Sequence, residues 1–282
     1  MKVVLFCGGF GMRMRESSET IPKPMVRIGC RPILWHIMKY YAHYGHKDFI
    51  LCLGWNANAI KEYFLTYDEC VSNDFVLSGG GDKIKLLGSD IHDWNITFVD
   101  TGTQTVIGQR LKAVERHLEG EEVFLANYAD GLSDVHLPSL IDNLTKHDSI
   151  GTFVSVRPSH TFHAIDSDAD GKVHGISPIE TSDVWMNGGF FVFRNDVFRY
   201  IHDGDDLVDA PFNRLIAEGR LSTYRHHGFW SCMDTYKERR RFDDMYSRGN
   251  TPWELWKHPS QRGAIISSEI GGQLSREIDT LR

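Results

Sequence analysis

The stretch Gly8-Gly9-Phe10-Gly11-Met12-Arg13-Met14 follows a short apolar run, and Pro22-Lys23-Pro24-Met25 stands a few residues on. Glycines directly after a strand let backbone N–H groups approach a phosphate closely, and Arg13 supplies a countercharge. The spacing is not the dinucleotide fingerprint, because the last glycine of G-x-G-x-x-G falls on Met14, and no Gly-Lys-Ser/Thr follows to make a Walker loop. A glycine turn alone is often only a turn. Joined to a cation that two prolines hold rigidly, it reads as a phosphate cradle. A second candidate is Asp130, in Tyr128-Ala129-Asp130-Gly131, which ends a buried-looking strand. Asp134 reads instead as a cap for the helix beginning near Leu137. No Ser-His-Asp or Cys-His signature accompanies these residues.

Strands and helices must alternate to hold such groups in place. Lys2–Cys7, Asp48–Leu53, Ile96–Val99, Val123–Asn127 and Gly151–Val156 are apolar runs of buried-strand length. Between them, Pro32–Tyr44, Ala57–Tyr67, Gly108–Leu118 and Leu137–His147 read as helices, the first through Ile33, Leu34, Ile37, Met38 and Tyr41. The glycine-rich Gly79-Gly80-Gly81-Asp82 marks an excursion from the main sheet. This alternation predicts an α/β, Rossmann-like, mixed but mostly parallel sheet flanked by helices. In such sheets ligands bind outside the carboxyl ends of the strands, where Gly8-Gly9 and Asp130-Gly131 both fall. Strands near Gly189–Phe193 and Leu221–His226 read as a substrate-side extension. We therefore expect one domain over 1–256, with residues 1–156 forming the ligand-binding sheet and residues 157–256 its substrate-side extension. The polar, aperiodic tail 257–282 is expected to be peripheral or an oligomer contact.

Composition narrows the partners. The formal charge is −7, from 31 Lys plus Arg against 38 Asp plus Glu, so the broad basic footprint of a nucleic-acid binder is missing. An anionic ligand must be held by a few placed cations and backbone amides. The run Lys237-Glu238-Arg239-Arg240-Arg241 reads as a solvated helix face. No apolar stretch approaches the ~20 residues of a membrane span, and the run Lys2–Cys7, which passes straight into glycines, is not expected to be a signal peptide. Five cysteines without a C-x-x-C pair read as reduced core thiols. The expected compartment is the cytoplasm.

The chain resembles the sugar-1-phosphate nucleotidyltransferases, and within them the cytidylyltransferase branch. The resemblance is carried by G-G-x-G-x-R-M with K-P-M, by Arg31-Pro32-Ile33-Leu34-Trp35-His36-Ile37-Met38, Asp100-Thr101-Gly102 and Gly108-Gln109-Arg110-Leu111. Tyr128-Ala129-Asp130-Gly131, Asn187-Gly188-Gly189 and Phe229-Trp230-Ser231-Cys232-Met233-Asp234-Thr235 complete it. It implies that Arg13 touches the triphosphate and helps pyrophosphate leave, and that Lys23 bridges the α-phosphate and the incoming sugar phosphate. It implies that Asp130 and Asp234 hold Mg²⁺, which suits an ion that takes one or two carboxylates plus phosphate oxygens. Gly8, Gly9 and Gly11 would contact nucleotide, and Arg110 would meet phosphate while reaching a neighbouring subunit's site in a homo-oligomer. Asn187, Gly188, Gly189 and His163 would meet the acceptor. The substrates implied are an NTP, CTP favoured, on residues 1–156, and a phosphorylated sugar or sugar-like alcohol on residues 157–256.

One block departs from that family. Where its members carry Glu-Lys-Pro upstream of Asn187, this chain reads Gly175-Ile176-Ser177-Pro178-Ile179-Glu180-Thr181, and His160 and His163 stand just before. Two readings follow: a transferase with an altered acceptor half, or a nucleotide-binding paralogue that has lost catalysis. Retention of Arg13, Lys23, Asp130 and Asp234 together favours the transferase.

Overall fold

Seven strands form one central sheet: β1 Val3–Phe6, β2 Asp48–Leu53, β3 Asn95–Asp100, β4 Val123–Asn127, β5 Gly151–Val156, β6 Met186–Arg194 and β7 Leu221–Arg225. The structure, a computed structural model, describes residues 1–9, 21–158 and 163–257. The strand order is β7-β5-β6-β4-β1-β2-β3. β1 runs parallel to β2 and β4, β2 to β3, and β5 to β7. β6 is antiparallel to both of its neighbours. The expected mixed, mostly parallel sheet is therefore present. All four residues of β1 are buried, as a central parallel strand with helices on both faces requires.

The chain fills β2 and β3 on one side of β1 and then crosses to β4 on the other. That reversal opens a crevice beyond the carboxyl ends of β1 and β4, the place where ligands settle in open α/β sheets. Gly8-Gly9 leaves one lip and Tyr128-Ala129-Asp130 the other.

Helices α1 (Ile33–His43), α2 (Ala57–Leu65), α3 (Ile107–Ala113), α4 (Leu137–Lys146), α5 (Ala210–Ala217) and α6 (Tyr236–Ser247) cover the sheet. α1 starts after Pro32, whose φ of −69° suits a helix entry, and stops at Gly45 with φ +87°, whose N–H returns to Ala42 O. Ile33, Leu34, Ile37, Met38 and Tyr41 pack on the sheet as their spacing predicts, while Trp35 and His36 are buried from the other side by Trp253 and Trp256. The opposite face of the sheet holds an aromatic core in which Phe191 stacks on Phe193 and both meet Phe212. Cutting Phe191 to alanine would cost about 3–5 kcal/mol.

Two hairpins project from this body. Phe75–Ser78 pairs with Lys83–Leu86 around Gly79–Gly81, which is the excursion the glycines mark. His163–Ser167 pairs with Val173–Pro178 between β5 and β6.

Candidate active site

Lys23 belongs to a single 3-10 turn, Lys23–Met25, tied by Met25 N–H to Pro22 O at 2.8 Å and by Val26 N–H to Lys23 O at 3.1 Å. Its flanking prolines fix the backbone, and the side chain reaches across the crevice. Lys23 Nζ donates to Asp130 Oδ2 at 2.6 Å and also to Asp234 Oδ1. Both sequence-predicted aspartates therefore meet on one ammonium.

The loop carrying Asp130 is folded by its neighbours. Ala129 takes φ +62°, and its N–H donates to Asn127 Oδ1 at 2.9 Å, an Asx turn that lifts Asp130 off the end of β4. Asp234 arrives through a short antiparallel pairing of Gly131–Ser133 with Trp230–Cys232, in which Cys232 lies opposite Gly131. Met233 N–H donates to Asp130 O at 2.8 Å and locks the two loops together. Just beyond, Thr235 caps α6 in a capping box with Glu238, whose carboxylate also accepts from Asp234 N–H at 2.7 Å. The Thr-x-x-Glu spacing is a readable signal for Glu238 that the motif reading passes over. The rest of the run Lys237–Arg241 lies mostly on the exposed face of α6, as expected.

Electrostatics follow from this convergence. Burial pushes the Asp130 carboxyl above its usual range, and Asp234 adds to the shift while the Lys23 ammonium opposes it. Burial alone would lower the Lys23 pKa, but Asp130 and Asp234 outweigh it and hold the ammonium above its ordinary value. The cluster is thus a charged triad in which one cation separates two carboxylates.

On the other lip, Gly8 is buried and Gly9 exposed. The Arg110 guanidinium donates to Gly8 O at 3.0 Å, Thr101 Oγ1 at 2.7 Å and Leu53 O at 3.2 Å. It ties the ends of β1, β2 and β3 together. Arg110 is only 2% exposed and its Nη1 and Nη2 bond within its own chain, whereas the resemblance implies an arginine that reaches a neighbouring subunit's site. Because N–H and C=O point oppositely across a trans peptide, fixing Gly8 O on Arg110 turns the Gly9 N–H away from that guanidinium. Cys7 and Cys52 lie beside this guanidinium. Burial pushes the Cys7 thiol well above its usual range and Cys52 up to about 12, so both are inert at neutral pH.

Asn187, Gly188 and Gly189 open β6 beside Tyr128. Asn187 Nδ2 donates to Tyr128 Oη at 3.2 Å, and Trp230 Nε1 donates to Gly188 O at 2.8 Å. Gly189 has φ +76°, and a Cβ there would lie 2.6 Å from the Tyr128 ring, so only glycine fits. His163 stands exposed on its hairpin opposite Pro178, and no hydrogen bond among the described residues joins it to the charged triad. Asp134 does not cap α4, whose N-cap is His136; it accepts from His226 Nε2 at 2.8 Å. Gly11, Arg13 and His160 lie outside the described residues.

Comparison with known proteins decides the family. The family model described as nucleotidyl transferase matches residues 2–231. The chain belongs to the nucleotidyl transferase family. This nucleotidyltransferase is 39% identical over 258 residues to a probable glucose-1-phosphate cytidylyltransferase of Bacillus subtilis, covering 91% of this chain and 100% of that one. It is 36% identical over 259 residues to the glucose-1-phosphate cytidylyltransferase of Salmonella typhi, with the same coverage of 91% and 100%. Among solved structures, a UDP-glucose pyrophosphorylase complexed with UDP-glucose superposes with a TM-score of 0.64 at 15% identity, over 88% of this chain and 98% of that one. A putative glucose-1-phosphate thymidylyltransferase from Bacillus anthracis gives 0.62 at 14% identity, over 86% and 94%. At such identities these two establish the fold of the nucleotidyltransferase and nothing finer.

Proposed function

We propose that this nucleotidyltransferase joins CTP to a sugar-1-phosphate of the glucose-1-phosphate kind, forming a CDP-sugar and pyrophosphate. The observation that carries the reading is Lys23 Nζ set between Asp130 and Asp234 at the crossover crevice. CTP and the acceptor class come from the relatives at 36–39% identity, matched along their whole length.

The reaction brings a phosphomonoester onto the α-phosphorus of a triphosphate. One acceptor oxygen forms the new P–O bond as the bond to pyrophosphate breaks, so the problem is the meeting of like charges. No protein nucleophile is needed, because the acceptor oxygen is already ionised. Lys23 supplies positive charge where both phosphates converge, an interaction that strengthens as charge builds in the transition state. The N–H of the exposed Gly9, turned away from Arg110, is a neutral donor for the nucleotide phosphates. Arg13 is assigned the leaving pyrophosphate from its place in the glycine motif.

The donor set also suits Mg²⁺. Among the described residues no group of three or more His, Cys, Asp or Glu gathers, so a metal here would use two hard carboxylates and complete its shell with phosphate oxygens and water. Asp130 and Asp234 already gather around a cation, Lys23, which marks where positive charge is wanted. When bound, Mg²⁺ would neutralise charge on the attacked and departing phosphates.

We place the enzyme in the cytoplasm. All five cysteines are free thiols, as a reducing compartment keeps them, and no helix among the described residues is long and apolar enough to cross a membrane. Retention of the whole charged triad speaks against a paralogue that has lost catalysis. The test is pyrophosphate release from CTP, UTP, dTTP and GTP against a panel of sugar-1-phosphates, with and without Mg²⁺. Release that is fastest with CTP and needs the metal is expected. No release from any pair overturns the reading.

A further inference from the structure

The acceptor side holds positive charge in a place no sequence motif marks. Arg225, the last residue of β7, is in register with Ser155 on β5, and Ser155 with Asn187 on β6. These three side chains form one row across the sheet at its ligand-binding end. They line a cavity of about 350 Å³ with Trp185 and Phe212 in its walls. That volume lies within the range of small-molecule pockets, and an aromatic wall with a few convergent polar groups is their usual lining.

Two features of the cavity point to an absent ligand. Ser155 is 4% exposed, and its hydroxyl has no hydrogen-bond partner among the described residues. Buried hydroxyls are nearly always satisfied, so this one marks a place for a ligand oxygen. The second feature is a pair of arginines on one ring. The guanidinium carbons of Arg157 and Arg225 lie 5.2 Å and 5.0 Å from the Trp185 ring centroid. Neither has a carboxylate partner among the described residues. Arg157 is anchored through Glu180 O at 3.1 Å and Ser182 O at 3.0 Å, whereas the Arg225 guanidinium has no such bond among them. Two guanidinium charges thus gather at one ring with no carboxylate among the described residues to neutralise them, and an anion beside them would do so.

Sheet geometry says which part of a ligand reaches them. β5 and β6 separate β7 from β4, so at about 4.8 Å per strand Arg225 starts roughly 14 Å from β4, beyond whose end Asp130 lies. Asn187, bonded to Tyr128, stands between. An acceptor whose transferred phosphate sits at the charged triad would therefore present its far end, not that phosphate, to the arginines. We infer that the Arg157–Trp185–Arg225 stack is an anion subsite for the remote end of the acceptor, and that the preferred acceptor is a sugar-1-phosphate bearing a second acidic group. This inference rests on the transferase reading above and narrows its substrate class. The second group is a carboxylate or a phosphate, both of which a guanidinium receives in two-pronged fashion.

The experiment measures kcat/KM with CTP for glucose-1-phosphate, glucuronate-1-phosphate and glucose-1,6-bisphosphate. Wild-type enzyme should favour at least one diacidic acceptor over glucose-1-phosphate by tenfold or more. Arg225→Gln should lower that preference by about 10- to 100-fold, the loss of one charge-assisted bond. Arg157→Gln should lower it too, and Arg225→Lys should restore part of it. If glucose-1-phosphate is the better acceptor, or if Arg225→Gln depresses all three alike, the subsite is overturned; the better diacidic acceptor tells carboxylate from phosphate. Should no acceptor turn over, the transferase reading has failed, and calorimetric binding of glucuronate-1-phosphate and glucose-1,6-bisphosphate decides the subsite separately. Binding to wild type that is weakened in Arg225→Gln then sustains it, and no binding, or binding the substitution leaves unchanged, removes it.

Discussion

Arg110 occupies the space that any side chain on Gly8 would need: a Cβ built on Gly8 would lie 1.9 Å from Arg110 Nη1 and 2.3 Å from Cζ. The glycine and the buried guanidinium are thus one device. The absence of a side chain admits the arginine, and the arginine fixes the carbonyl that sets the turn. Arg110→Met would leave Gly8 O buried without its donor, at a cost of about 1–3 kcal/mol, whereas Leu53 O keeps the Thr101 N–H and hydroxyl. Urea unfolding should show that loss, together with a CTP KM raised about tenfold or more. Because the bonds stay within one chain, mixing Arg110→Met with Lys23→Ala protein should restore no activity. Restored turnover in the mixture would return Arg110 to a neighbour's site.

Asp130→Asn and Asp234→Asn should each abolish measurable turnover with the fold retained. Each amide keeps the shape but removes a charge from a site that gathers positive ions, and it turns an ion pair with Lys23 into at most a neutral-acceptor hydrogen bond. The backbone links that set the loops, Met233 N–H to Asp130 O and Asp234 N–H to Glu238, involve neither carboxylate oxygen and remain. Circular dichroism and a Mg²⁺ titration of pyrophosphate release check both halves. Wild-type rates at ordinary Mg²⁺ in either variant would take that residue out of the site.

Lys23→Ala is expected to slow transfer more than it weakens nucleotide binding. A cation placed between two carboxylates in the resting enzyme gains most when extra negative charge develops between two phosphates. Loss of such a preorganised charge typically costs about 10²–10³ in kcat. The KM for CTP should move by less than tenfold. A variant with normal kcat at saturating CTP, and only KM raised, would assign Lys23 to ground-state binding instead.

How far the sequence carries this picture depends on how local each feature is. Val123–Asn127 and Gly151–Val156 are legible with their observed bounds because a short apolar run between polar turns is a local signal. The direction of Met186–Arg194 is not legible: an apolar run reads the same whether its neighbours are parallel or antiparallel. Motifs point to Lys23 and the two aspartates, but their meeting depends on Gly131–Ser133 pairing with Trp230–Cys232, a contact between distant segments. Arg110 shows the same limit, since a motif names a residue without saying which way it points. Asp134 lies near enough to a helix start to read as its cap, yet His226, brought over from beyond β7, competes for its carboxylate. Arg225 and Arg157 belong to no motif, and only the register of β5 and β7 sets them on one ring.

Acid should weaken the fold through one buried histidine. His36 on α1 is 2% exposed, with Nε2 on Ile28 O at 3.1 Å and Nδ1 without a hydrogen-bond partner among the described residues. Burial holds its pKa down to about 4, from an ordinary 6.5, even though Ile28 O and the Glu254 carboxylate favour the charged form. Between these two values the unfolded chain binds a proton that the folded protein refuses. Stability from this group is therefore whole above about pH 6.5 and falls as the pH drops toward 4, where the loss levels off. At about 1.4 kcal/mol per pH unit, the total over this interval is about 3–4 kcal/mol. Urea unfolding of wild type between pH 7 and pH 4, set beside His36→Gln, isolates the contribution. The variant starts less stable at pH 7, because the aromatic packing against Trp35 and Trp253 is lost, but its stability should decline less steeply on acidification. Equal slopes in the two proteins would mean that His36 is already protonated in the fold, paired with Glu254.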